Sequence, residues 1–202
     1  MLDSLIDKLA ANPKIFIFLR RILENNFRGE KQVIRDHFKL SPGDQVLDLG
    51  CGTGEFSVFI PSQQYIGLDI EPAYIEYAKK NYAGKFILGD ASKLDFPDRS
   101  FNKIMVIGVF HHMSDALSGK VLHEASRVLS DDGTFLFVED LSSPENNFLT
   151  RWLHKLDKGE FIRTTEGYRN LVSPHFKIEK SFTMKSGLHP YQVFVLKKQT
   201  IA

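Results

Sequence analysis

The sequence predicts a doubly wound α/β sandwich built on a mostly parallel sheet. Three observations predict it. Short, almost wholly apolar runs recur between residues 45 and 139, and longer runs of helical period separate them. After residue 175 the period returns to that of strands. Strands apolar on both faces are those of a sheet covered by helices on either side, and repeated strand–helix–strand order implies right-handed βαβ crossovers.

Taken in order, residues 1–40 have a helical pattern, with Asn12 as a candidate N-cap and Pro13 as the first residue of a second helix. Residues 45–50, 64–70, 85–90, 103–110 and 134–139 read as five strands. A helix is expected directly after Gly54. Another is expected over 72–82, opened by Pro72 and carrying Tyr74, Ala78 and Tyr82 along one stripe. A third, over 114–129, places Leu117, Val121, Ala125 and Val128 on a buried face, and Asp131, Asp132 and Gly133 form the turn that ends it. Residues 141–175 read as helices and loops. Residues 176–184 and 191–196 form a terminal hairpin through Gly187 and Pro190, which adds an antiparallel strand to the sheet.

The chain has 202 residues, 43% of them apolar and 25% charged, a composition that suits one globular domain and excludes disordered and fibrous classes. A net charge of +1 gives no polybasic signature for nucleic acid. Cys51 is the single cysteine, which excludes an intrachain disulfide and a CxxC metal site and fits a reducing cytoplasm. The longest apolar run covers residues 15–19, far short of the roughly 20 needed to span a bilayer, and the N-terminus lacks a basic signal region. A cytoplasmic protein without a transmembrane segment is expected.

The sharpest motif follows the first strand, where glycines stand at 50, 52 and 54. Ligands of open α/β sheets bind beyond the carboxyl ends of strands, and glycine there lets the backbone turn tightly and approach them. The spacing is GxGxG. The dinucleotide pattern GxGxxG has Glu55 in place of its last glycine, and that negative charge opposes a pyrophosphate; the Walker pattern is absent. Asp69, 19 residues after Gly50, ends the second strand, where a carboxylate can accept both hydroxyls of a ribose. Asp90 ends the third and could accept from an adenine amine. Glycine or aspartate at three successive strand ends points to a nucleoside site.

Leu-Asp-Leu-Gly-Cys-Gly-Thr-Gly, then Gly-Leu-Asp-Ile, then Gly-Asp-Ala resembles the class I S-adenosylmethionine-dependent methyltransferases. Residues 95–101, His111-His112 and residues 124–129 extend the match, which is continuous over about residues 44–140. Asn102 stands where that family usually has aspartate, and Asp131-Asp132-Gly133 where it has Pro-Gly-Gly. The resemblance implies a Rossmann-like, seven-stranded sheet whose last strand is antiparallel, and S-adenosyl-L-methionine as cofactor. It implies that Asp48, Gly50, Cys51, Gly52 and Gly54 cradle the methionine part, with Ile107 and Gly108 beside it. Asp69 would bind the ribose, Ile70 would lie against the adenine, and Asp90 and Ala91 would flank it. Arg28, residues 157–163 and Tyr168 are similar to a small-molecule subgroup, which places Arg28 with the cofactor residues.

Methyl transfer is an in-line displacement that needs acceptor and methyl about 3–3.5 Å apart and shielded from water. Residues 1–40 and 141–175 are the material for a cap, with Phe16, Phe18, Phe27, Trp152, Phe161 and Tyr168 as aromatic candidates for its lining or for ordinary core packing. His111 and His112, just past the fourth strand, are the candidate bases; each could instead pack under or cap the next helix. His154, Arg163, Tyr168 and Tyr191 are candidates to bind the small-molecule substrate, and no cluster has metal-ligand spacing. Residues 41–140 hold 8 basic and 15 acidic groups, the flanks 18 and 10. A basic cap over an acidic core would attract a carboxylate- or phosphate-bearing acceptor or an anionic lipid surface; alternatively the two layers complement each other. A non-catalytic cofactor-binding subunit that activates a partner enzyme would carry the same loop.

Overall fold

The computed structural model describes residues 13–142, 160–187 and 189–199. Its seven-stranded sheet has the order β3-β2-β1-β4-β5-β7-β6, with β1 (Val46–Leu49), β2 (Tyr65–Asp69), β3 (Lys85–Leu88), β4 (Phe101–Ile107), β5 (Leu129–Asp140), β6 (Phe176–Ser186) and β7 (His189–Lys198). The first five strands are mutually parallel, and β7 runs antiparallel to β5 and to β6, as the tail hairpin required. The chain winds outward from β1 to β3 and then returns to place β4 on the other side of β1. The strand order therefore reverses between β1 and β4, and the crevice for a ligand lies beyond their carboxyl ends.

Two apolar layers sandwich the sheet. On one face, helices α1 (Pro13–Leu23) and α2 (Arg28–Val33), the 3-10 turn Asn25–Phe27 between them and the turn Ile34–Phe38 send Ile17, Phe27, Val33, Ile34 and Phe38 against Met105, Leu136, Val138 and Val193. Helix α3 (Pro72–Asn81) adds Ile75 and Ala78 to the same layer. On the other face, α4 (Asp115–Val128) and α5 (Thr165–Val172) cover Ile104, Val106, Phe135 and Phe137. Pro72 starts α3 behind Glu71, whose carboxylate accepts from the Ala73 N–H, and Ser114 and Thr164 cap α4 and α5 in the same way.

Three expectations about elements are corrected. No α-helix follows the glycine loop: residues Glu55–Phe59 form only a 3-10 turn, and Pro61 and a second short turn lead straight into β2. The N-terminal helices supply packing on that face instead, with Phe27 edge-on to Phe56 at 5.5 Å. Leu117 is 39% exposed, and Ser118 takes its place on the buried face of α4 because the helix is turned slightly from the expected stripe. Asp131, Asp132 and Gly133 lie within the long β5, at an irregularity in its pairing with β4 rather than in a separate turn.

Candidate active site at the strand ends

Tight turns at the two strand ends flanking the crevice touch each other. Gly50 leaves β1 with φ +71°, and a Cβ there would stand 2.5 Å from Cγ2 of Val109 in the turn after β4. Gly108 starts that second turn with φ +68°. Gly52, with φ +51°, has nothing within 4 Å of its Cβ position, so its backbone borders open space. Beneath the loop Asp48 is fully buried and accepts a 2.7 Å hydrogen bond from the Tyr65 hydroxyl; burial pushes its carboxyl up to about 7. Cys51 is buried beside it, and burial raises its thiol, which makes it an inert packing group.

Asp69 ends β2 with one carboxylate oxygen on the Gly52 N–H and the other on the Glu71 N–H, both at 2.8 Å. Burial raises its carboxyl pKa. Around it Ile70 is 72% exposed and Leu88 53%, two apolar side chains left open at adjoining strand ends. Asp90 is exposed and accepts from the Ser92 N–H, with the half-buried Ala91 following. Ile107 is buried at the end of β4. Arg28 sits at the exposed start of α2. Glu55, treated above as an open negative charge, is buried: the Arg21 guanidinium binds both its oxygens at 2.9 and 3.1 Å, and the Tyr82 hydroxyl donates to it at 2.7 Å. This ion pair ties α1 to the glycine loop.

Beyond β4 the two histidines divide. His111 is 2% exposed, with Nδ1 at 3.2 Å from Oε2 of Glu139, while His112 is exposed, its ring tilted by 49° against that of His111 with centroids 3.9 Å apart. Arg163 holds the same turn from the other side. Its guanidinium donates to the carbonyls of Phe110, Phe161 and Met113 and to Asp115, so it acts as a clamp and not as an open anion site. Tyr168 is fully buried against Phe137, its hydroxyl donating to the Asp140 carbonyl, a packing position rather than a wall of the crevice. Tyr191 is buried opposite Asp140 in the sheet. Of the aromatic candidates, Phe27 belongs to the core, whereas Phe18 and Phe161 are exposed. His154, Trp152 and Asp157 lie outside the described residues, as does the side chain of Phe16.

Sequence reasoning missed a buried polar group. Arg20 of α1 reaches within 3.7 Å of the Gly108 Cβ position and is paired with Glu24 at 2.6 Å. Glu30 is buried against Ser186, and Glu139 and Asp140 close the end of β5. Glu139 had a readable signal, a carboxylate ending an apolar strand, just as Asp69 does.

A family model described as a methyltransferase domain matches residues 46–133. Demethylmenaquinone methyltransferase of Thermotoga maritima is 34% identical over 151 residues, which are 71% of this chain and 63% of that protein. The chain spans about half to two thirds of the length of the first curated relatives it matches. The PH0226 protein of Pyrococcus horikoshii superposes with a TM-score of 0.68 at 21% identity, over 86% of this chain and 92% of that one. Geranyl diphosphate C-methyltransferase of Streptomyces coelicolor, solved with Mg2+, geranyl diphosphate and S-adenosyl-L-homocysteine, superposes at 0.71 with 11% identity, over 88% and 82%. Likeness at these identities is one of fold. Among the described residues no helix is long and apolar enough to cross a membrane.

Proposed function

We propose that the chain is a class I S-adenosylmethionine-dependent methyltransferase that methylates a small-molecule acceptor in the crevice between β1 and β4. The observation that carries the reading is the open backbone at Gly52, tied to the Asp69 carboxylate, in a loop whose Gly50 meets Val109 of the turn after β4. When bound, S-adenosyl-L-methionine supplies a methyl group activated on a positively charged sulfur. The residues present fit it. Gly52 puts no side chain between its backbone and the open space, while Gly50 and Gly54 let the loop pack closely on Val109 and Phe86, and Asp69 would offer carboxylate lone pairs to ribose hydroxyls. Ile70 and Leu88 offer apolar faces for a flat ring, beside Asp90 and Ala91.

Asp48 and Tyr65 fix the floor of the loop without reaching the crevice. Arg21 and Glu55 hold α1 over the loop, and Arg20 brings the same helix to Gly108, so the N-terminal segment excludes water from the acceptor end. His111 accepts the proton that an O–H or N–H acceptor releases. The name of the Thermotoga relative, a demethylmenaquinone methyltransferase, supports a small acceptor.

Calorimetric titration with S-adenosyl-L-homocysteine tests the reading. Binding is expected, and Asp69→Ala should weaken it about 10- to 100-fold, the worth of a hydrogen bond to a charged group. No binding by the unaltered chain, or binding of reduced nicotinamide dinucleotide instead, would overturn it.

A further inference from the structure

Glu139 does more at this site than end a strand. It is the penultimate residue of β5 and has no exposed surface. Its Oε1 accepts the backbone N–H groups of Val109 and Phe110, each at 2.9 Å. Its Oε2 accepts the N–H of His111 at 3.3 Å and lies 3.2 Å from Nδ1 of the same residue. Oδ2 of Asp140 lies 3.5 Å from that nitrogen. One carboxylate therefore gathers three consecutive N–H groups of the turn after Gly108 together with the ring that the turn carries.

We infer that Glu139 is a positioning residue that holds His111 as its Nδ1–H tautomer and so makes Nε2 the basic nitrogen of the ring. The inference rests on the role given to His111 above. A carboxylate ringed by three N–H donors has only lone pairs left to offer, so the hydrogen between it and the imidazole sits on Nδ1. Orientation follows from the same bond. With Nδ1 turned to Glu139, Cε1 lies 3.7 Å from the Cβ position of Gly108, and Nε2 is the next atom of the ring. The turn bordering the cofactor loop and the base are thus set by one side chain.

The proton balance is simple. The acceptor X–H bond breaks, its electron pair stays on X, and the proton joins Nε2. The imidazolium that forms carries hydrogens on both nitrogens, and its charge faces Glu139 and Asp140. A neutral residue at 139 would leave that charge without its nearest partner and would leave the tautomer undirected. Glutamine can turn an amide N–H toward Nδ1, which favours the opposite tautomer.

The test needs no acceptor. Long-range 15N–1H correlation spectra of 15N-labelled protein distinguish protonated from unprotonated ring nitrogens, and loss of one ring in His111→Asn assigns the signals. The unaltered chain should show His111 with hydrogen on Nδ1 and a bare-type Nε2, and Glu139→Gln should move the hydrogen wholly or partly to Nε2. An Nε2–H tautomer in the unaltered chain overturns the inference even if no variant folds. So does an unchanged tautomer in a folded Glu139→Gln. S-adenosyl-L-homocysteine titrations on the same samples keep the two readings apart, because failure to bind sinks the methyltransferase reading while the tautomer still decides the part played by Glu139.

Discussion

Glu30 offers a direct test of how the N-terminal segment is held, through the substitution Glu30→Gln. The side chain is fully buried, and burial, followed by the neighbouring Glu24 charge, pushes its carboxyl from 4.5 up to about 8. Hydrogen positions agree. The Ser186 hydroxyl owns one hydrogen, and the Glu24 carbonyl lies 2.8 Å away to receive it. The close contact between Ser186 Oγ and Glu30 Oε2 must then be donated by Glu30, which makes it a neutral acid. Its folded value is raised, so its contribution is fully present below the unfolded value and is lost as pH rises through the folded one. Between about 4.5 and 8 the native chain keeps a proton that the unfolded chain has released, and stability falls by up to 1.36 kcal/mol per pH unit, on the order of 3–5 kcal/mol in all. Glutamine cannot ionise, yet its amide can donate to Ser186. Thermal unfolding followed by circular dichroism should therefore give matching Tm values near pH 5. At about pH 9 the variant should be ahead by about 6–20 °C, at about 2–4 °C per kcal/mol for a chain of this size. Asp48, raised to about 7, contributes a slope of the same sign to both proteins and cancels in the difference. Parallel curves, or a variant less stable at alkaline pH, would refute the neutral-acid assignment.

Two glycines separate packing from binding. Gly50→Ala would drive a Cβ to 2.5 Å from Val109 at a positive φ and should cost about 2–4 kcal/mol of stability, read by urea unfolding. Gly52→Ala meets no neighbour and should cost about 1 kcal/mol, yet it should weaken S-adenosyl-L-homocysteine at least as strongly as Asp69→Ala does, because the added methyl enters the ligand's space. Arg163→Lys removes a planar fork that makes five hydrogen bonds, to the turn after β4, to Phe161 and to Asp115. It should lower Tm by about 5–10 °C with cofactor affinity only mildly reduced, and an unchanged Tm would mean that the clamp contributes nothing.

Strand positions, sheet direction and the terminal hairpin were legible because strands covered on both faces leave unbroken apolar runs, and a run such as residues 103–107 has no other reading at that length. Asp69 was legible for a different reason: it ends a strand 19 residues after Gly50, one of three successive strand ends that carry glycine or aspartate. The short turn at Glu55–Phe59 was not legible, because Glu-Phe-Ser-Val-Phe suits a first helical turn and only the nearby Pro61 and the early start of β2 cut it off. Nor was the pairing of Arg21 with Glu55, or of Glu30 with Ser186. Both join residues far apart in sequence, and an isolated charge on a helix reads as a solvated face until the tertiary contact is known. Arg163 read as a substrate-binding candidate for the same reason, since nothing local reveals that its donors are taken by the carbonyls of a turn.

One device recurs on both sides of the crevice and explains how the strand-end turns hold their shape. A parallel strand that stops short of a ligand site leaves N–H groups in the following turn with no strand to pair with, and burying them unpaired is costly. At β1 that need is met by its outward neighbour: Asp69, ending β2, takes the N–H of Gly52. At β4 it is met by the outward neighbour on the other side, where Glu139, near the end of β5, takes the N–H groups of Val109, Phe110 and His111. Each carboxylate makes charge-assisted bonds worth about 1.5–3 kcal/mol, more than a neutral acceptor would give. Because the acceptors belong to neighbouring strands, the turns are held from outside and their inner surfaces stay open. The two turns meet at Gly50 and Val109, so loosening either carboxylate shifts both walls of one crevice. Losses in cofactor affinity from Asp69→Ala and Glu139→Gln should therefore fall short of additivity when combined, as expected for groups that support one shared surface.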